Sequence, residues 1–426
     1  MASSASRNSL FFVSEKKPSL APRLILVFYL FIQFIFVSLA HAEIRVGMTT
    51  PLTGPLQELG NNALAGINAY FNQVNLNGGI HGQKIHLFVE DDKYEPRLAA
   101  PNMRKLIEEQ NVIAIIGNVG TPTAVVTVPI AIENNIPFIG AITGAPLLRQ
   151  SPPNRYIFNY RASYFQEAAS MIDGLIKIGI RPEEIAFFTQ RDSYGDAGYE
   201  GAISALIKHG ASNIYSLAHG RYRRNSLNVE GALATILDAP VKPRAIIMAG
   251  SYAPSAKFIK LAKQDLPNCL YLNMSFVGST SLLKELNGET DNVIITQVVP
   301  SFHSDIPIAR EYKRDLEKYN KNLKPSFISF ESYIVAKIFV ASLLNINSKI
   351  YNPESVINSL NKLSRLDLGL NLDISYSSDN HQAVNKIWPV MILNDQFIPV
   401  DWSEIANNMN ITRHNNIFQI YTNDLR

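Results

Sequence analysis

The 426-residue chain has one cysteine, Cys269. An intrachain disulfide is therefore impossible, and a chain of this length has to be held together by apolar burial. Cys269 precedes Leu270-Tyr271-Leu272 and reads as a small buried apolar residue. Charge is sparse and nearly balanced, at 18% of residues and a net +3. It is spread along the chain, which excludes the concentrated basic face of a nucleic-acid binder. The densest basic run, Arg221-Tyr222-Arg223-Arg224, reads as a solvated loop. There is no internal repeat, no low-complexity segment, no Walker A sequence and no Gly-x-Ser-x-Gly elbow. Asp91-Asp92 has no second acid cluster to work with and reads as a solvated or capping pair. His81 and His86 fall five apart across a strand, so they point to opposite faces and make a poor metal pair. No metal, cofactor or catalytic group is expected, and the chain reads as a non-enzyme.

Long apolar runs are also scarce. The clear one, Leu24 to Leu39, follows Lys16, Lys17 and Arg23 and ends at Ala40-His41-Ala42. A basic segment, an apolar run and an A-x-A site are the parts of an export signal, so 1–42 is expected to be removed near Ala42. About 16 apolar residues is short for a membrane span, but an uncleaved anchor is the competing reading. No cysteine follows the run, so a lipid anchor is not expected there. No other long apolar stretch is expected downstream, which points to a soluble mature chain.

What the sequence has is alternation. Short β-branched runs at 44–48, 85–89, 112–116, 136–139, 185–188, 245–249, 270–272 and 293–299 read as buried strands. Helical patterns read between them, with Leu64, Ile67, Phe71 and Val74 at helical spacing, then 97–110, 124–133, 165–177, 256–263, 307–319 and 329–344. This order predicts an α/β fold with doubly wound, mostly parallel sheets. Further strands read at 370–374 and 388–393, and a second unit begins near Arg161. Residues 401–426 are weakly patterned and receive no assignment.

In such sheets ligands bind beyond the carboxyl ends of the strands. Two turns lie there, Gly117-Asn118-Val119-Gly120-Thr121-Pro122-Thr123 and Ala141-Ile142-Thr143-Gly144-Ala145-Pro146. In the first, Thr121 reads as the helix N-cap and Pro122 as the first helical residue. Gly117 and Gly120 leave room for close approach, and free N–H groups at a helix N-terminus attract small anions such as carboxylates. An ordinary capped turn is the competing reading.

Several blocks together resemble the branched-chain amino-acid-binding (Leu/Ile/Val-type) family of periplasmic solute receptors for ABC importers. They are Ile44-Arg45-Val46-Gly47 with Pro51-Leu52-Thr53-Gly54-Pro55, Asn77-Gly78-Gly79-Ile80-His81-Gly82, Asp91-Asp92, the turns at 117–123 and 138–146, Arg191-Asp192-Ser193-Tyr194-Gly195 and Gly250-Ser251-Tyr252. The resemblance implies a type I periplasmic binding fold, with two lobes joined by a three-strand hinge that closes on a ligand. It implies one lobe from 43–161 and 297–365 and another from 162–296 and 366–400. By the same resemblance Gly120, Thr121, Pro122 and Thr123 hold a ligand carboxylate. Ile142, Thr143 and Gly144 face its amine, and Tyr194 and Tyr252 pack over it. The implied partners are a small-molecule ligand (an amino acid, carboxylate or amide) and an ABC permease in the inner membrane, with the protein a periplasmic monomer.

Two departures bear on the ligand. Amino-acid-binding members place a carboxylate in the loop matching 273–278, where this chain has Asn273-Met274-Ser275-Phe276-Val277-Gly278. Phe276 offers an aromatic face instead, which attracts a cation weakly. An aromatic residue near the first loop is replaced, here by Leu59. A carboxylate without an α-amine, an aromatic acid or an amide stands beside an amino acid as the ligand. A sensory receptor on the same fold, anchored by the N-terminal segment, is the alternative to transport.

Overall fold

A computed structural model describes Met1, residues 43–348 and residues 350–407. Apart from Met1 the expected export signal lies outside the described residues, as does most of the 401–426 tail.

The first lobe opens β1 (Ile44–Thr50), α1 (Gln57–Leu76), β2 (Ile85–Asp91), α2 (Pro96–Arg104), β3 (Ala114–Ile116), α3 (Thr121–Glu133), β4 (Phe138–Ile139) and β5 (Ile157–Phe158). Its sheet runs β2-β1-β3-β4-β5 with every pair parallel. The chain steps out from β1 to β2 and returns to β3, so the switch point lies between β1 and β3. A ligand crevice is expected outside their carboxyl ends. Residues 97–110 do not form one helix. α2 ends at Arg104 and passes into a π-helical turn, Lys105–Glu109.

The second lobe adds α4 (Tyr164–Lys177), β6 (Ile185–Gln190), α5 (Ser193–Lys208), β7 (His219–Tyr222), α6 (Glu230–Leu237), β8 (Ala245–Ala249), α7 (Tyr252–Asp265), β9 (Leu270–Asn273), α8 (Ser279–Leu286) and β10 (Val293–Ile295). After α9 (Pro307–Tyr319), α10 (Phe327–Leu344), α11 (Pro353–Leu360) and a β11–β12 ribbon (Leu366–Asp367, Asp373–Ile374), the chain returns as β13 (Val390–Leu393) and β14 (Gln396–Pro399). The second sheet runs β14-β13-β10-β9-β8-β6-β7. It is parallel from β7 to β10 and antiparallel at β13 and β14. Its switch point lies between β6 and β8, at Tyr194 and Tyr252.

α9 and α10 pack on α1. The apolar length of α10 corrects the expectation of no second long run: by composition it is long enough to cross a membrane, yet 83% of it is buried inside the protein. It is apolar all round because it is surrounded, as a core helix is. The basic run at 221–224 is not a solvated loop. Tyr222 is buried at the end of edge strand β7, Arg221 reaches Asp196 at 2.5 Å, and Arg224 reaches the other lobe. His81 is not on a strand. It sits in the turn before β2 with a left-handed backbone and stacks on Tyr351.

Three segments cross between the lobes. Asn159 and Tyr160 accept from the Ala383 and Val384 amides, and Gln297 exchanges backbone bonds with Trp388. Arg161 closes this region with a two-bond pair to Glu331 of α10 at 2.8 and 2.7 Å, both side chains buried. Of the tail, residues 402–407 are helical, and Trp402 packs against Gly174 of α4.

Candidate functional site

Each turn is shaped by who sits beside it. Gly120, not Thr121, caps α3. Its φ of 104° and ψ of 150° lie in a region open to glycine almost alone. Thr121 is therefore the first helical residue, and the first-turn N–H groups have no side-chain cap. A Cβ on Gly120 would stand 2.2 Å from the Tyr94 ring, so that ring rests directly on the turn. The Thr121 and Thr143 hydroxyls meet at 2.6 Å, joining the two predicted turns. Thr123 turns its hydroxyl back to the Val119 and Gly120 carbonyls at 2.7 and 3.1 Å, leaving only its amide for a ligand. The Ile142 carbonyl already accepts from the Gly120 amide. Gly144 admits Tyr164, whose ring a Cβ there would strike at 2.7 Å.

The second lobe contributes Tyr194, held by Asp192, which accepts the Tyr194 amide at 3.1 Å as N-cap of α5. Phe276 lies 4.7 Å from Tyr194 and 6.0 Å from Tyr94, ring centre to ring centre, and Tyr164 lies 5.2 Å from Tyr194. All four rings are fully buried. The Tyr164 and Tyr194 hydroxyls have no hydrogen-bond partner of good geometry, although the Thr143 and Thr121 hydroxyls beside Tyr164 pull its phenol down against burial. Burial pushes both phenols upward, so each stays a neutral donor. Buried donors without acceptors are rare and mark a place where something else is expected.

Tyr252 lies beside Gly278. Its hydroxyl donates to the Pro55 carbonyl of the first lobe at 2.5 Å, closing one edge of the cleft. Leu59 lies against Gly278 at the same edge. On the other edge Glu95 bonds Arg224 at 3.1 Å and Asn225 at 2.8 Å. Arg224 also reaches Asp192 at 3.3 Å. Gln190 ties the two sides together, donating to the Tyr94 hydroxyl at 3.3 Å and to Asp192 at 2.7 Å.

Tyr94, Tyr164, Gln190 and Arg224 were not singled out from sequence. Tyr94 is aimed by the acid pair before it. Asp91 accepts the Lys93 amide and Asp92 the Tyr94 amide, and both Lys93 and Tyr94 take left-handed backbones. A left-handed bulky residue is an outlier that marks functional sites. Asp92 is buried rather than solvated. Burial raises its carboxyl to about 7, against the pull of the Tyr94 amide and Thr49 hydroxyl. An acid raised in the native state stabilises folding fully below its unfolded value. That contribution fades as pH rises and is lost above the native value. Stability is thus expected to fall between about pH 4 and 7 on account of Asp92, and Asp92→Asn should flatten that slope in thermal denaturation. An unchanged slope would place the titration elsewhere.

Behind Phe276, Glu167 accepts from the Ser275 amide and hydroxyl at 2.8 and 2.9 Å and from Thr296 at 2.5 Å, fixing the 275–277 turn. Burial raises the Glu167 carboxyl. Among the described residues no group of three or more His, Cys, Asp or Glu is placed to hold a metal ion.

A family model described as periplasmic binding protein matches residues 43–396. A solved structure of a possible leucine/isoleucine/valine-binding protein from Rhodopirellula baltica is 42% identical, with a TM-score of 0.82, covering 85% of this chain and 97% of that one. Leu/Ile/Val-binding protein homolog 3 of Brucella melitensis is 26% identical over 181 residues, 42% of this chain. The matched segments span 48%, 30% and 56% of the first three curated relatives, about half their length or less. A branched-chain amino-acid ABC transporter protein from Thermus thermophilus with bound valine shares the fold at a TM-score of 0.74 and 18% identity, over 85% of this chain and 96% of that one. With two wound lobes, a three-segment crossing and a cleft between their switch points, the chain belongs to the periplasmic binding protein family, alongside its Leu/Ile/Val-type members.

Proposed function

We propose that this protein is a solute receptor of the periplasm. It captures a small carboxylate- or amide-bearing, amino-acid-like molecule between its lobes and hands it, chemically unchanged, to an ABC permease in the inner membrane. The observation that carries this reading is that the α3 amides at the first lobe's switch point have no side-chain cap, while the second lobe buries the Tyr164 and Tyr194 hydroxyls without a hydrogen-bond partner. These are donors preset for an anionic group. The carboxylate rests on the Thr121 and Thr123 amides, with the rings of the second lobe closing over the remainder. The lobes comprise about 43–161 with 297–365, and 162–296 with 366–400. The chain works as a monomer after removal of 1–42, and it does no chemistry on what it binds.

Thermal-shift screening of the mature chain against amino acids, carboxylates and amides tests this. A solute at a hundred times its Kd stabilises the folded state by about 2.7 kcal/mol. Absence of any stabilising solute, or steady conversion of the bound one, would overturn the reading. Closure also predicts a latch effect. Arg224→Met removes the partly exposed bridge to Glu95, an interaction of about 0.2–1 kcal/mol. Affinity for the best solute should drop about two- to fivefold, through faster release in stopped-flow dissociation, with no change in the association rate.

A further inference from the structure

Arg149 follows the second predicted turn and joins it to the hinge. Its Nη1 donates to the Thr143 and Ala145 carbonyls at 3.3 and 3.0 Å. Nη2 donates to the Arg161 carbonyl at 2.9 Å, and Nε to the Gln382 side-chain oxygen at 2.9 Å. The first two acceptors belong to the turn, Arg161 to the first crossing segment and Gln382 to the third. Gln382 passes the contact on, its amide nitrogen donating to Gln166 of α4 at 2.9 Å and to Asn385 at 2.5 Å. A continuous set of bonds thus runs from the turn, through one guanidinium, to the third crossing and α4.

A guanidinium carries five donors in a rigid planar fork. These donors cannot follow separate acceptors independently, so a shift of Gln382 misaligns the turn carbonyls, and the reverse. The turn in turn grips the first one. Thr143 Oγ1 meets Thr121 Oγ1 and accepts from the Ala145 amide, and the Ile142 amide donates to the Asn118 carbonyl. On its other side the bond borders an open cavity of about 470 Å³, lined by Arg149, Gln166, Gln382 and Asn385 among others. Gln382 can therefore be substituted without disturbing a packed core.

We propose that Arg149 is a positioning residue that couples the solute turns to the hinge, so that seating a solute and bending the crossing segments each bias the other. This rests on the solute-receptor reading above and adds the link through which closure follows capture.

Amide hydrogen exchange of the mature chain, with no solute present, tests it. Gln382→Leu removes the acceptor of Nε and leaves both turn carbonyls in place. Exchange of the Ile142 and Ala145 amides should rise about tenfold or more, measured against Ile130 and Ala131 inside α3, which report any global loss. Gln382→Glu keeps an acceptor for Arg149 but gives up the amide donors to Gln166 and Asn385. Its turn amides should stay within about twofold of the wild type. Arg149→Met should raise exchange at the turn and at the Ala383 and Val384 amides, which bond Asn159 and Tyr160. In that background Gln382→Leu should add nothing at the turn. Unchanged turn amides in Gln382→Leu would overturn the proposal. So would equal rises in the two Gln382 variants, which would leave Gln382 a bracket for α4 alone, or additive effects of Arg149→Met and Gln382→Leu. If Arg149→Met does not fold, the contrast between the two Gln382 variants decides. Because no solute enters this experiment, a negative result leaves the receptor reading standing, while a solute screen without a hit removes that reading and leaves the coupling measurable.

Discussion

Gly120→Ala is expected to abolish solute binding at concentrations that saturate the wild type. The residue holds φ 104° and ψ 150°, where a Cβ adds about 1–3 kcal/mol of backbone strain. The new methyl would also stand 2.2 Å from the Tyr94 ring. Moving a packed ring aside costs about 1–3 kcal/mol more. The chain has two ways to respond, and each damages the cleft. If the turn relaxes, Thr121 leaves Thr143 and the α3 amides lose their aim. If Tyr94 retreats, the bond from Gln190 and the wall beside Phe276 go with it. Titration calorimetry should show affinity falling about 100-fold or more, the equivalent of about 2.7 kcal/mol. Urea unfolding should show a smaller loss, because the open form relieves part of the strain. Near-wild-type affinity would mean that this turn does not touch the solute.

The second large effect lies at the crossing. Arg161→Met should destabilise the protein by about 3–5 kcal/mol, because it leaves Glu331 charged and buried without its partner. The two bonds, at 2.8 and 2.7 Å, lie between side chains only 1% exposed. Arg149 sits close by, donating to the Arg161 carbonyl at 2.9 Å. Burial first, and the neighbouring Arg161 guanidinium second, pushes Arg149 down to about 10. Removing both members of the pair should cost less than removing one. The double variant Arg161→Met with Glu331→Leu replaces the ions with apolar groups of similar size, a change that is often neutral. Urea unfolding of the two single variants and the double variant closes the cycle. Strict additivity would show that the two residues do not act as a pair.

How much of this could be read from the sequence depended on the element. Parallel strands buried on both faces leave unbroken apolar runs, so β1, β6, β8 and β9 were legible to within about two residues. β7 was not. His219–Tyr222 is an edge strand with alternating burial, and Arg221 within it, followed by Arg223 and Arg224, gives the run the look of a loop. β5 covers two residues, Ile157–Phe158, too few to carry a period. α11 carries a local signal that the apolar pattern does not, a capping box between Asn352 and Ser355 with Pro353 at the first helical position. The turns at 120–123 and 142–144 were legible as turns, because glycine, proline and threonine at strand ends supply the backbone conformations that turns and helix starts need. Thr121 as N-cap was wrong for a reason no local pattern carries: Gly120 takes a glycine-only backbone conformation with the Tyr94 ring, from another strand end, lying against it. Tyr94 and Tyr164 were invisible for the same reason. Their roles come from long-range packing, and only the acid pair before Tyr94 and the Ser163–Gln166 capping box before Tyr164 hinted at them.

The central claim is that a solute's carboxylate rests on the amides of the first turn of α3. Nuclear magnetic resonance of the mature chain, labelled with nitrogen-15 at threonine, observes those amides directly as the most stabilising solute is added. The account predicts downfield proton shifts for Thr121 and Thr123 that saturate at one solute per chain and vanish in Gly120→Ala. Saturating binding that leaves both resonances in place would contradict it.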